Sequence, residues 1–259
     1  MDKATIARRF SKAAITYNRN ATVQAIVAKR LAGMLADTGC KNFEKAMEIG
    51  CGTGLFTKFL TSDFKIKSLV LNDLYKAEDI DQYLENTEYS FIEADAEAMK
   101  MPEGLDLIAS CSTMQWFENQ PDFIFKCSKA LNNNGILALA TYGSDNMWQM
   151  KKATGIYLDY YSMDELVALL KKHFNKVEAV QEHYTLTFNS AMEVLRHIKA
   201  TGVAGISKTV WGKEKCQAFC AEYSSEFGNE DGSVNLTYHP ILLIASAPVS
   251  NTASLPTST

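Results

Sequence analysis

The sequence predicts an α/β fold with a mostly parallel sheet and helices on both of its faces, joined by right-handed crossovers. Apolar runs of strand length alternate with segments of helical length and periodicity, a glycine-rich turn follows the first run, and acidic residues follow the next two. The five alternating runs cover residues 45–50, 67–72, 89–93, 105–111 and 135–141. Two later runs, 177–187 and 236–246, are expected to pair as an antiparallel hairpin at the sheet edge.

Composition excludes several functional classes. The chain has 259 residues, 47% of them apolar, and a net charge of −4, which does not indicate a generic nucleic-acid binder. No apolar run approaches the roughly 20 residues that span a bilayer, and the N-terminus lacks the apolar stretch of a signal peptide. The six cysteines have no paired spacing and the four histidines form no metal motif. We therefore expect a cytoplasmic protein that binds no metal, nucleic acid or membrane.

The N-terminal segment, residues 2–37, predicts one or two helices, because apolar side chains recur every third or fourth position. This apolar stripe consists of Ile6, Phe10, Ala13, Tyr17, Ala21 and Ala25. The same segment is rich in basic residues. It is expected to form a helical cap beside the core.

Beyond the fifth strand the alternation loosens. A helix over 162–173 is predicted from the capping box of Ser162 and Glu165. Two further helices, over 191–199 and 213–227, and a glycine-rich hinge at 202–205 separate the last two strands, an excursion too long for a hairpin turn. The expected organisation is a helical cap at 1–37, a core at 38–188 and 234–249, a helical lid at 189–233 and a disordered tail at 250–259.

The first two strand ends predict a pocket for an adenosine-containing ligand. Glu48, Gly50, Gly52 and Gly54 follow the first strand, and Asp73 follows the second. Glycines are needed where the backbone turns sharply and passes close to a ligand. A carboxylate at the second strand end can accept hydrogen bonds from both hydroxyls of a ribose.

The third and fourth strand ends extend this pocket. Asp95 is placed to accept a hydrogen bond from an adenine amine, the Ala96 N–H can meet a ring nitrogen, and Ser112 follows the fourth strand. In open α/β sheets, ligands bind beyond the carboxyl ends of the strands. The alternative is that Asp73 and Asp95 only cap the helices that follow them.

The glycine spacing favours S-adenosylmethionine over a dinucleotide. Dinucleotide folds more often show Gly-x-Gly-x-x-Gly with the pyrophosphate on a helix N-terminus, whereas this loop is Gly-x-Gly-x-Gly with Glu48 beside it. A carboxylate repels phosphates but attracts a sulfonium and an ammonium. No Gly-Lys-Ser/Thr follows, which argues against a nucleotide triphosphatase.

Over residues 40–145 the sequence resembles the class I S-adenosylmethionine-dependent methyltransferases. The resemblance implies a Rossmann-like, mostly parallel seven-stranded sheet with an antiparallel edge strand and a helical lid. The implied roles are the methionine-side loop (Gly50, Gly52, Gly54), ribose binding (Asp73), adenine recognition (Asp95, Ala96) and proximity to the methyl group (Ser112 to Trp116).

The flanking segments resemble the malonyl carrier-protein O-methyltransferases of biotin synthesis. The matching segments are Ala7–Ala14, Thr16–Asn18, Ala21 with Gln24, Leu195–Gly202 and Leu236–Tyr238. The resemblance implies methyl transfer to the free carboxyl of a malonyl thioester on acyl carrier protein, or on coenzyme A. Esterification removes the negative charge of this carboxyl end, so that fatty-acid enzymes accept the chain and elongate it.

The malonyl carboxylate is ionised at pH 7, so this nucleophile needs no general base. The enzyme must orient it, exclude water and hold its charge, and Tyr17, Lys151 and Arg196 are the candidate contacts. Each has a plainer interpretation: Tyr17 lies on an apolar stripe, and the two cations suit a solvated surface. The family usually has a Leu-Arg or Leu-His pair soon after the fifth strand, where this chain has Met150-Lys151.

The basic N-terminus predicts either a docking surface for an acidic carrier protein or an ordinary solvated face. Two rival functions stay open from the sequence. One is methyl transfer to another small carboxylate or to a quinone-type ring, and the other is a cofactor-binding regulatory protein without turnover.

Overall fold

The computed structural model describes residues 2–85, 87–202 and 211–249. The helices of the described chain are α1 (Lys3–Asn20), α2 (Thr22–Asp37), α3 (Thr57–Asp63), α4 (Gln120–Ala130), α5 (Trp148–Thr154), α6 (Met163–Lys171), α7 (Ala191–Ala200) and α8 (Lys213–Phe227). Its strands are β1 (Asn42–Ile49), β2 (Lys65–Asp73), β3 (Glu88–Glu93), β4 (Leu105–Cys111), β5 (Leu131–Tyr142), β6 (Phe174–Gln181), β7 (Tyr184–Phe188), β8 (Val234–Tyr238) and β9 (Pro240–Pro248).

Seven strands form one sheet in the order β3-β2-β1-β4-β5-β9-β6, which confirms the predicted fold class. Strand β9 runs antiparallel to both of its neighbours, β5 and β6. The predicted antiparallel strand is therefore present, but it lies second from the edge rather than at the edge. Its first six residues are all buried, as in a strand covered on both faces, whereas β6 is partly exposed along its length and forms the edge.

The predicted terminal hairpin is divided between two sheets. The 177–187 run breaks at residues 182–183 and the 236–246 run breaks at His239, so β7 and β8 pair in a separate two-stranded sheet. At the interruption the His239 side chain bonds to the Asp145 amide and to Gln181, and the adjoining Pro240 has no amide proton to donate to a partner strand. The predicted antiparallel pairing of the two runs is confirmed, because β6 with β9 and β7 with β8 keep a single register on both sides of the interruption.

Two connections also differ from the predicted pattern. Only one short 3-10 turn, Ile80–Tyr83, lies between β2 and β3 in the described residues. The segment between β3 and β4 contains a turn at Asp95–Met99 and no helix. Pro102 and Gly104 stop helix formation there.

The N-terminal segment forms two helices that meet at Ala21, whose amide donates to the Tyr17 carbonyl. Helix α2 packs its apolar face against the core through Val23, Val27 and Leu31. The capping box of Ser162 and Glu165 at the start of α6 is confirmed. None of the described helices is long and apolar enough to cross a membrane. The predicted disordered tail and most of the predicted 202–205 hinge lie outside the described residues.

Candidate active site

A cavity lies beyond the carboxyl ends of β1 to β4, where the chain order reverses between β1 and β4. Helix α1 closes one side of it with Lys3, Ile6, Ala7, Phe10 and Tyr17. The strand ends contribute Glu48, Gly50, Gly52, Asp73, Asp95, Ala96 and Ser112. The structure therefore brings seven of the eight predicted cofactor-binding residues to one cavity.

Each of the three loop positions requires glycine for a different structural reason. All three adopt positive φ, which side chains other than glycine rarely tolerate. A Cβ on Gly50 would lie 2.1 Å from the Thr113 hydroxyl, and one on Gly54 would lie 2.6 Å from the Tyr83 ring. Nothing lies within 4 Å of a Cβ on Gly52, so this residue leaves open space that a ligand can occupy. Gly54 itself does not line the cavity, and its position is explained by packing against Tyr83.

Asp73 links the second strand end to the glycine loop. Its Oδ2 accepts a hydrogen bond of 2.8 Å from the Gly52 amide, and its Oδ1 accepts one of 2.7 Å from the Leu74 amide. Burial raises the pKa of Asp73 to about 6, while these backbone donors pull it down. The carboxylate is thus held in a fixed orientation, and the described residues between β2 and β3 contain no α-helix that it could cap.

Glu48 is the more deeply buried acid of the site, with 1% of its surface exposed. Its Oε2 accepts a 2.7 Å hydrogen bond from the Thr57 hydroxyl. Burial raises the pKa of Glu48 to about 8, the Thr57 hydrogen bond lowers it, and the nearby Asp73 charge raises it further. A cationic ligand lowers the pKa of a buried acid of this kind, because the cation stabilises the ionised form.

Asp95 lies at the opposite end of the cavity. Its Oδ1 is 3.5 Å from the Lys3 ammonium and accepts a 3.0 Å hydrogen bond from the Glu97 amide. Lys3 also pairs with Glu97 at 2.6 Å. These contacts make a local turn rather than the helix cap of the alternative hypothesis, and they tie α1 to the third strand end.

Sequence reasoning left Gln24 out of the site. Its side chain is 3% exposed, it lines the cavity, and its Oε1 has no hydrogen-bond partner among the described residues. A buried acceptor without a partner is costly unless a ligand supplies a donor. The available signal was the Ala21-x-x-Gln24 spacing, which placed a polar residue on the buried face of α2.

The cavity also has an aromatic side. Tyr17 and Trp116 both lie against Phe10, with ring centroids 6.4 and 5.5 Å away. The Ser112 hydroxyl is 3.2 Å from the Tyr142 hydroxyl, and Ser112 itself has a φ of 58°. Burial raises the pKa of Tyr17 above its usual value, so its hydroxyl keeps its proton. This side offers neutral hydrogen-bond donors within an apolar wall.

The structure does not bring Lys151 or Arg196 to the cavity. Lys151 is exposed on α5 and lies 4.1 Å from the centroid of the Tyr157 ring. Arg196 is exposed on α7. Among the described residues, α1 lines the cavity and no part of α7 or α8 does.

A group that no sequence motif indicated lies away from the cavity, where β6 and β9 leave the large sheet. His183 and His239 stack with ring centroids 4.2 Å apart, beside the Asp145 carboxylate. His239 Nδ1 accepts from the Asp145 amide at 3.2 Å, and its Nε2 lies 3.1 Å from Gln181 Oε1. Protein groups thus occupy both nitrogens of His239.

Comparisons with known proteins agree with this geometry. A family model described as a methyltransferase domain matches residues 47–139. A malonyl-[acyl-carrier protein] O-methyltransferase from Bacteroides helcogenes is 40% identical, over 95% of this chain and 98% of that protein. A protein of the same name from Bacteroides fragilis is 40% identical over 94% of this chain, which spans 50% of that longer relative.

A solved structure shares the fold at much lower sequence identity. The N-methyltransferase NodS from Bradyrhizobium japonicum, in complex with S-adenosyl-L-homocysteine, has a TM-score of 0.52 and 16% identity, over 86% of each chain. This likeness supports the fold assignment. The open Gly52 cradle, the Gln24 acceptor and the buried acids fit an adenosine ligand that carries positive charge.

We predict that binding of S-adenosylmethionine releases a proton. At about pH 7 most Glu48 is protonated without ligand, and a neighbouring cation lowers its pKa, so the proton leaves. The calorimetric binding enthalpy should therefore differ between phosphate and Tris buffers. Glu48→Gln should abolish this difference, whereas the exposed control Glu88→Gln should keep it. A wild-type enthalpy independent of buffer would contradict the prediction.

We also predict that Asp73→Asn weakens cofactor binding. The substitution removes one charged acceptor, and a hydrogen bond to a charged group contributes about 1.5–3 kcal/mol, or more than about tenfold in affinity. Calorimetry with S-adenosylhomocysteine measures the change, with exposed Asp79→Ala as the control. Unchanged affinity in a variant with the wild-type melting temperature would refute the ribose role.

Proposed function

We propose that this chain, which belongs to the malonyl-[acyl-carrier protein] O-methyltransferase family, methylates the free carboxylate of a malonyl thioester carried by acyl carrier protein. The methyl donor is S-adenosylmethionine, which supplies an electrophilic methyl group on its sulfonium. The observation that carries the proposal is the cavity itself, which brings buried acids together with neutral hydroxyl donors in an aromatic wall. Malonyl-coenzyme A is the alternative carrier.

The reaction requires orientation rather than proton transfer. The malonyl carboxylate is already ionised at neutral pH, so its oxygen can attack the methyl carbon without a base. No histidine lines the described part of the cavity. The absence of a histidine there suits a carboxylate acceptor better than ring C-methylation, which must also remove a proton.

Neutral donors are our candidates for the carboxylate contacts. Lys3 is the cation that lines the described cavity, and it is already paired with Asp95 and Glu97 on the adenine side. We assign the carboxylate to the Tyr17 and Ser112 hydroxyls instead. A hydroxyl orients the carboxylate but leaves more negative charge on the attacking oxygen than a direct ion pair does.

The other residues of the site bind the methyl donor, S-adenosylmethionine. Gly52 leaves room for the methionine side of the cofactor, Glu48 faces its cationic groups, and Asp73 orients the ribose. The aromatic wall of Phe10 and Trp116 excludes water from the reacting atoms. A cytoplasmic location stays a prediction.

The direct test uses methyl-labelled S-adenosylmethionine with malonyl-loaded and acetyl-loaded acyl carrier protein. We expect label only on the malonyl form, because the acetyl group has no free carboxylate. The labelled product should be a methyl ester that mild alkali releases as methanol. Equal labelling of both proteins, or of neither, would refute the proposal.

We predict that Tyr17→Phe impairs turnover far more than cofactor binding. Loss of one hydrogen bond to a charged group should lower kcat/KM for the malonyl substrate by about 10- to 100-fold. Calorimetric affinity for S-adenosylhomocysteine should change little. Exposed Tyr157→Phe is the matched control, and a Tyr17→Phe enzyme with full turnover would return Tyr17 to a purely structural role.

A further inference from the structure

The N-terminal helices have a charge distribution unlike the rest of the chain. Residues 3–36 contain seven basic residues and no acidic one, although the whole chain has a net charge of −4. The basic residues are Lys3, Arg8, Arg9, Lys12, Arg19, Lys29 and Arg30. This segment therefore creates a local positive potential on an acidic protein.

Helix α1 directs part of this charge away from the cavity. At 100° per residue, Arg8, Lys12, Ile15 and Arg19 fall on one face of the helix. The residues of α1 that line the cavity fall on the opposite face. We call the first group the outer face of α1. All four of its side chains are exposed.

The outer face of α1 stays positively charged among the described residues, although the Asp2 carboxylate interacts electrostatically with Arg8. Arg8, Lys12 and Arg19 form no ion pair within the described residues. Ile15 lies among them with 94% of its surface exposed, the highest value for a large apolar side chain in the described chain. Exposed cations on either side of an apolar side chain complement a partner surface that is acidic and carries an apolar contact of its own.

Helix α7 lies beside α1 and adds a further positive charge to this surface. The Thr16 hydroxyl donates to the Ala200 carbonyl at 3.4 Å, which places the last turn of α7 beside α1. Exposed Lys199 lies in that turn. Phe10 packs against Gly202, where a Cβ would lie 2.8 Å from the ring. Contacts with α7 thus hold in place the part of α1 that carries Ile15.

We propose that the outer face of α1 is the docking surface for the acidic carrier protein, an inference that rests on the proposed function. Three cations complement the acidic surface of the partner, and Ile15 supplies the apolar contact. A partner docked there lies about one helix diameter, 10–12 Å, from the cavity on the inner face. A thioester on a flexible arm can therefore reach Tyr17 around the same helix.

The test compares two acceptors that share the malonyl group. Malonyl-acyl carrier protein uses the docking surface, whereas malonyl-pantetheine has neither protein nor phosphate for it to bind. The variant is Lys12→Glu/Arg19→Glu. The matched control is Lys45→Glu/Lys65→Glu, which makes the same charge change near the amino ends of β1 and β2, at the other end of the sheet.

We expect Lys12→Glu/Arg19→Glu to lower kcat/KM for malonyl-acyl carrier protein at least about tenfold and to flatten its dependence on salt. Turnover of malonyl-pantetheine should not change, and the control should behave as wild type with both acceptors. Ile15→Ser should lower kcat/KM for the carrier protein alone, by about threefold to tenfold.

Two outcomes would overturn the docking proposal while leaving the proposed function intact. One is wild-type kinetics of Lys12→Glu/Arg19→Glu with the carrier protein. The other is an equal loss with both acceptors, which would mean that the charges act through the cavity. A wild-type enzyme that methylates neither acceptor would instead overturn the proposed function, and the docking surface with it.

Discussion

The 2.8 Å hydrogen bond from the Gly52 amide to the Asp73 carboxylate organises the site. It joins the glycine loop after β1 to the end of β2, so two strand ends share one rigid corner. The positive φ of Gly52 turns its amide toward Asp73 and leaves open space on the ligand side. Because Glu48 lies close to the same corner, two acids are buried together, and each is stabilised when a cation arrives.

The two faces of helix α1 have different roles in the proposed function. Its inner face supplies Tyr17 and the Phe10 wall, and its first turn reaches Asp95 and Glu97 through Lys3. Its outer face carries the unpaired cations around Ile15. Because both faces belong to one helix, a substitution that shifts α1 should change the cavity and the proposed docking surface together.

The sequence predicted most of the core and most of the residues that line the cavity, because both depend on local signals. Continuous apolar runs identified β1 to β5, and the glycine and acid positions identified the cavity. The break at His239 was missed because it depends on contacts with Asp145 and Gln181, which are distant in sequence. Gln24 was missed as a site residue for a similar reason, since only the packing of α2 on the sheet turns its amide into the cavity. Lys151 was misplaced because its distance along the chain from β5 says nothing about the direction of α5.

The arrangement of charge also accounts for release of the products. The buried acids favour a cationic donor, and the hydroxyls and outer cations favour an anionic acceptor and carrier. In the proposed reaction, methyl transfer converts the sulfonium to a thioether and the carboxylate to an ester, so the charges of the two reacting groups disappear in one step while the ammonium of the donor remains. Loss of the sulfonium charge raises the pKa of Glu48 again, which favours its protonation. The same buried acid thus favours the sulfonium donor over the thioether product.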